Sequence, residues 1–285
     1  MPIAYVNGSN IQYQQYYGEK EKNQEYKTMH ILFIHGIGSA STVWRDIPEA
    51  LSNILTSENK HFHTIAVDLI GFGKSDKPLT ANYTIKGYSK FIMDFISEKE
   101  IGIKRDEKMT IVGHSLGGYI AAEVAIEDKD RIESLVLIDS SGMLQQPTPL
   151  LNQFLDAAMD IEPNKDKVSD VFRKMYANGS LMPDIVVDNF MQTIREQGAK
   201  PAFKTAFNDS TTRPIDPERL EEIKHIPCLL IWGNQDNMIP QQHYSDGFKK
   251  AFNNIVFETI ENAGHAPFVE KTALVYEKLR SFLTR

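Results

Sequence analysis

Ser115 stands in Gly113-His114-Ser115-Leu116-Gly117, a glycine-x-serine-x-glycine pattern that suits a serine presented as a nucleophile. The apolar run Met109–Gly113 before it reads as a buried strand, and Leu116–Glu127 after it has helical periodicity. A serine on so sharp a strand-to-helix turn is held in a strained backbone conformation, with its hydroxyl projecting beyond the sheet edge. Glycines on either side keep side chains clear of the neighbouring strand and helix. The plainer reading is a glycine-rich turn that happens to carry a serine, and the flanking strand and helix argue against it.

A serine hydroxyl is a weak nucleophile at neutral pH and needs an adjacent base. Of the eight histidines, His265 is the one on a glycine-flanked loop, Asn262-Ala263-Gly264-His265-Ala266-Pro267, beyond an expected strand. A carboxylate is then required to orient the imidazole and stabilise its charged form. Asp236, in Trp232-Gly233-Asn234-Gln235-Asp236, follows a buried run and precedes His265. Asp139 also ends an apolar run and is the rival, its other reading being a cap for local amides.

The elements that must position these groups are legible as alternation. Short apolar runs of the kind expected for strands buried on both faces occur at His30–His35, Thr64–Asp68, Met109–Gly113, Leu135–Asp139, Cys228–Trp232 and Asn254–Thr259. Segments with helical periodicity lie between them, including Tyr83–Lys99 and Ala266–Phe282. This alternation predicts an α/β fold with a mostly parallel sheet covered by helices on both faces. Residues 3–17 alternate around Asn7-Gly8 and predict a hairpin, which brings the expected sheet to eight strands. The charged stretch Gly18–Thr28 reads as a surface loop.

From Met143 to Arg213 only helical patterns rich in Leu, Met and Phe are found. One stripe is Leu150, Leu151, Phe154 and Leu155, and another is Ile185, Phe190 and Ile194. The expected organisation is therefore a core domain of residues 1–142 and 214–285, with residues 143–213 inserted after the sixth strand.

Composition narrows the function. The chain has 285 residues, 41% of them apolar and 24% charged, which is ordinary for a globular protein. A net charge of −7 argues against general affinity for nucleic acid or anionic lipid. A single cysteine, Cys228, allows neither an internal disulfide nor a thiolate zinc site. No apolar run reaches the roughly 18 residues of a bilayer span, and the first residues lack signal-peptide character. The cytoplasm is the expected location, with no membrane partner and a monomer or homodimer as the expected state.

Taken in order, HGIG at 35–38, DLIGFGKSD at 68–76, GHSLGG at 113–118, LIDSSG at 137–142, WGNQD at 232–236 and NAGHAP at 262–267 resemble the α/β-hydrolase superfamily over essentially the whole length. The order Ser115, Asp236, His265 is that of the superfamily's catalytic residues. The resemblance implies an α/β-hydrolase fold, with 143–213 as a helical cap over the active site. It also implies an oxyanion hole made by the backbone N–H groups of Ile37 and Leu116. His35 is expected to brace that loop, and the 68–76 loop to support the site without touching substrate.

The implied reaction is acyl transfer through an acyl-enzyme on Ser115, with no metal or organic cofactor. A serine at the elbow separates this chain from the dehalogenases and epoxide hydrolases of the superfamily, which use aspartate there. A serine esterase for small to medium apolar carboxylic esters is the expected function. Lactonases, thioesterases and carbon–carbon hydrolases of vinylogous diketones are the enzymatic alternatives. Those carbon–carbon hydrolases resemble this chain in cap pattern, but commonly carry arginine beside an aromatic residue in the cap and tryptophan after the catalytic histidine. Asn189-Phe190 and Ala266 stand in those places here. Arg173, Arg195 and Arg213 are candidates to bind an acidic substrate group, with solvated surface positions as the plainer reading. A non-enzymatic small-molecule receptor is the reading from another class, and the chain keeps every group that such a receptor need not keep.

Overall fold

A computed structural model describes residues 1–18, 27–54 and 60–285. Among these, the strands in chain order are β1 (Ile3–Val6), β2 (Ser9–Tyr17), β3 (Lys27–Ile34), β4 (Lys60–Val67), β5 (Met109–His114), β6 (Ile132–Ile138), β7 (Cys228–Gly233) and β8 (Ile255–Ile260). They form one sheet in the order β1-β2-β4-β3-β5-β6-β7-β8. β1 and β2 pair antiparallel, as do β2 and β4, and every later pairing is parallel. Asn7 (φ 49°) and Gly8 (φ 85°) turn the first hairpin with the two positive φ values that a tight two-residue turn needs. Of the charged stretch Gly18–Thr28, residues 19–26 lie outside the described residues, and Lys27 and Thr28 open β3 instead of ending a loop.

The helices are α1 (Ile47–Ser52), α2 (Ile85–Ile96), α3 (Leu116–Glu127), α4 (Pro149–Met159), α5 (Lys165–Met175), α6 (Asp184–Ile194), α7 (Ala199–Thr212), α8 (Pro217–Glu221), α9 (Gln241–Ala251), α10 (Pro267–Glu270) and α11 (Thr272–Leu283). Alternate residues of the central strands feed two separate cores. Leu32, Ile111, Leu135 and Leu230 pack with Tyr88 and Ile92 of α2, Ile120 and Val124 of α3 and Phe248 of α9. Their neighbours Ile31, Phe33, Val112, Val136 and Leu229 pack with Ile47 and Leu51 of α1 and Val275 and Leu279 of α11. Both faces of the sheet are therefore covered, and this is why the strands read as unbroken apolar runs. The fold is that of an α/β hydrolase, with a mostly parallel sheet of eight strands.

Three details differ from the expectations. Helix α3 is not amphipathic: Leu116 through Ile126 are buried all round, and Glu123 among them pairs with Arg219 at 2.8 Å. A helix covered on every side carries no polar stripe. The segment after His265 is two helices, broken at Lys271 (φ −133°, ψ 47°), and not one. In the region between β6 and β7, Ile185 is 60% exposed, and α6 instead buries Val187, Phe190, Met191 and Ile194.

Candidate active site

β5 delivers Ser115. The backbone there has φ 52° and ψ −117°, a region that non-glycine residues occupy only when their surroundings hold them. The surroundings do so by close contact. A Cβ on Gly117 would lie 2.2 Å from the carbonyl oxygen of Ile34 and 2.6 Å from that of His35, and one on Gly113 would lie 2.2 Å from the carbonyl oxygen of Gly117. Only bare backbone lets the start of α3 settle against the end of β3.

That approach brings the β3 loop to the serine. Gly36 lies against Ser115, since a Cβ on it would come within 3.2 Å of the serine Cβ. Among the described residues, neither the Ile37 N–H nor the Leu116 N–H donates to a protein acceptor. His35 is fully buried beneath the loop. Its Nδ1–H donates to the Gly36 carbonyl at 2.7 Å, and its Nε2 accepts from the Leu69 N–H at 3.0 Å. Burial holds this ring below the usual histidine range and hence neutral. Asp68 fastens the same loop from the other side, accepting from the Ser41 N–H at 2.6 Å and the Lys74 N–H at 2.8 Å.

The loop after β8 presents His265. Its Nδ1–H donates to Asp236 Oδ2 at 2.8 Å, and its Nε2 is left for a second partner. Asp236, from the loop after β7, is buried and takes two further donors at Oδ1, the Met238 N–H at 2.7 Å and the Ile239 N–H at 2.9 Å. Asp139 follows β6, also fully buried, and accepts the Gly233 N–H at 3.0 Å. Burial and the charge of Asp236 push its carboxyl well above the usual carboxylate range. Asp139, Asp236 and His265 could in geometry hold a metal ion, with one candidate atom from each within 4.8 Å of the others. The Asp236–His265 hydrogen bond already engages that donor set.

Two residues without a role in the sequence reading emerge here. His114 is buried beside the imidazole, with ring centroids 4.9 Å apart, and donates from Nε2–H to the His265 carbonyl at 2.7 Å. Burial and neighbouring His265 hold it well below the usual histidine range. Glu270 in α10 accepts from the Gly264 and Ala177 N–H groups at 2.6 and 2.9 Å, joining the histidine loop to the segment between β6 and β7. His114 could have been flagged as part of the serine motif. Glu270 had no signal, because its partners are backbone amides 6 and 93 residues away.

Ser115, His265, Ile37 and Met238 border one cavity of about 190 Å³. Much of its remaining wall comes from the segment between β6 and β7, through Leu151, Phe154, Phe172, Met175, Val186 and Phe190. Phe154 sits 5.4 Å from Phe172 and 5.4 Å from Phe190, centroid to centroid, so this wall is an aromatic cluster. Arg173, Arg195 and Arg213 do not line it, and Arg213 pairs with Asp209 at 3.0 Å. The arginine at the rim is Arg45, which the sequence reading passed over.

The sequence profile of the α/β hydrolase fold family matches residues 29–272. The chain belongs to the α/β-hydrolase family. Among its relatives are an uncharacterized protein of Mycobacterium tuberculosis, 27% identical over 89% of this chain and 74% of its own, and lipase 1 of Psychrobacter immobilis, 26% identical over 89% and 77%. A solved structure of a meta-cleavage product hydrolase from Pseudomonas fluorescens superposes with a TM-score of 0.81 at 21% identity, covering 99% of this chain and 97% of that one. Its likeness to this α/β hydrolase is one of fold. Among the described residues, no helix is long and apolar enough to cross a membrane.

Proposed function

We propose that this α/β hydrolase is a serine esterase that cleaves carboxylic esters of small to medium apolar substrates through an acyl-enzyme on Ser115. The observation that carries the reading is the 2.8 Å hydrogen bond from His265 to Asp236, with both His265 and Ser115 facing one cavity. In this mechanism His265 Nε2 takes the Ser115 proton as Oγ attacks the ester carbonyl. The developing oxyanion is received by the N–H groups of Ile37 and Leu116, and Asp236 stabilises the imidazolium. The alcohol leaves with the proton from His265, and a water repeats the sequence to release the acid. No metal or organic cofactor enters these steps.

Residues 143–213 act as a cap in this reading, supported by the cavity wall that Leu151, Phe154, Phe172 and Phe190 supply. Their apolar character favours an apolar acyl or alcohol group. The enzyme is read as cytoplasmic, monomeric or homodimeric, with a small-molecule ester as its partner.

Carbon–carbon hydrolysis is the second reading, favoured by the meta-cleavage product hydrolase fold neighbour. Against it, Asn189 and Ala266 line the cavity where that class carries arginine and tryptophan. Hydrolysis of p-nitrophenyl esters from acetate to decanoate, wild type beside Ser115→Ala, tests the proposal. Ser115-dependent release that peaks at short or medium chain length supports it. Failure on esters with turnover of vinylogous diketones would transfer the site to the second reading, and turnover of lactones or thioesters to those classes. Stoichiometric binding without turnover would identify a receptor.

A further inference from the structure

We infer that Asp139 is a positioning residue that works as a neutral acid, its carboxyl O–H donating to the Asp236 carboxylate that orients His265. The inference rests on the proposed roles of Ser115, Asp236 and His265. It begins with an accounting of buried polar atoms. Asp139 is 0% exposed, and while Oδ1 accepts the Gly233 N–H, Oδ2 has no donor among the described residues. A carboxylate oxygen stranded in that way would be costly, whereas a protonated one needs an acceptor instead.

The acceptor at hand is Asp236. A carboxyl oxygen of each lies within 4.8 Å of the other and of a ring nitrogen of His265. Two buried carboxylates so close do not both ionise, and the proton goes to the one with fewer donors. Asp236 has the Met238 and Ile239 N–H groups and the imidazole; Asp139 has one amide. Among the described residues, the charged groups facing Asp139 are Asp236 and Glu270, with the His265 imidazole beside it. Burial above all, and then both acids, press the proton onto Asp139.

The backbone argues for a held position. Asp139 has φ 42°, a conformation that an ordinary residue keeps only when its surroundings hold it, and its N–H is fixed to the Ile231 carbonyl at 3.0 Å. With its side chain bonded to Gly233, the residue joins the ends of β6 and β7 beneath Asp236. A neutral donor there steadies the carboxylate without adding a second negative charge beside the imidazole.

The test compares Asp139→Asn and Asp139→Leu with wild type on p-nitrophenyl butyrate, with kcat/KM followed from pH 4.5 to 9 and Tm measured alongside. Asparagine is neutral, keeps an N–H for Asp236 and keeps a carbonyl for the Gly233 N–H. It should lose less than about tenfold, with the acid limb of the profile unmoved within about 0.3 pH unit. Leucine should lose about a hundredfold at a pH where it remains folded. An acid limb displaced downward by about one unit or more in Asp139→Asn would mean that an ionised group had been removed, and would overturn the inference. So would equal rates for the Asn and Leu variants. If wild type shows no Ser115-dependent hydrolysis, the esterase reading fails separately. The low-field Nδ1–H proton of His265, titrated by NMR in wild type and Asp139→Asn, then decides the state of Asp139 without turnover.

Discussion

His265 donates its backbone N–H to the Met175 carbonyl at 2.7 Å, so the loop that carries the imidazole is bonded to the end of α5 as well as to the sheet. Gly264 makes this possible, since a Cβ on it would stand 2.1 Å from the same carbonyl oxygen. Glu270 completes the junction through the amides of Gly264 and Ala177. The helical segment and the loop that carries the imidazole are therefore joined at this edge by three hydrogen bonds.

Glu270→Gln tests the junction. An amide side chain has one oxygen for the two N–H groups and sets its NH2 against the other. We expect Tm to fall by several degrees and kcat/KM by about tenfold, checked by calorimetry and ester hydrolysis. An unchanged rate would separate the junction from the chemistry.

Ser115→Ala should abolish turnover and leave the fold intact, because one hydroxyl contributes little packing. Ser115→Gly should be equally inactive but more stable than the alanine variant by about 1 kcal/mol, since glycine relieves the strain at φ 52°. Urea denaturation of the two variants side by side measures this difference.

Gly117→Ala should prevent the elbow from closing, because its Cβ would meet backbone oxygens at 2.2 and 2.6 Å. Backbone cannot yield as a side-chain tip can. The expected outcome is failure to recover soluble protein or, in any variant that can be purified, a loss of more than about a hundredfold in kcat/KM.

Phe190→Leu should widen the cavity where Phe154, Phe172 and Phe190 meet. The ratio of kcat/KM for p-nitrophenyl octanoate over butyrate is expected to rise severalfold. A ratio equal to that of wild type would remove α6 from the acyl pocket.

Stability should fall with acidity below about pH 6.5, the ordinary histidine value in an unfolded chain. His35, His114 and His30 have folded pKa values lowered chiefly by burial, so below that pH the unfolded chain binds more protons. Their contribution is present above about 6.5 and is lost as pH falls through their folded values. Asp139 acts in the opposite sense. Its raised folded pKa gives stability that is fully present below about 3.9 and is lost as pH rises through the folded value. Urea midpoints at pH 7.5 and 5.5 should show the decline, and His114→Gln should shrink it.

Sequence by itself determined the layers and the place of the serine turn. Strands buried on both faces, such as Leu135–Ile138, are apolar at every position, and a helix packed on one side, such as Ile85–Ile96, repeats near 3.6 residues. Glycines at 113 and 117 mark a close approach because nothing larger fits there. These are local constraints, written in neighbouring residues. Tertiary structure decided what lies across the chain. Asp139 and Asp236 both follow apolar strands and look alike in sequence. In space one carboxylate receives the imidazole and two amides, while the other is left with one amide and an orphaned oxygen. The roles of His114 and Glu270, the rim position of Arg45 and the exposure of Ile185 were likewise unreadable. Hydrogen-bond partners and burial depend on which loops converge at the ends of β5, β6, β7 and β8, and residue type alone does not record that convergence.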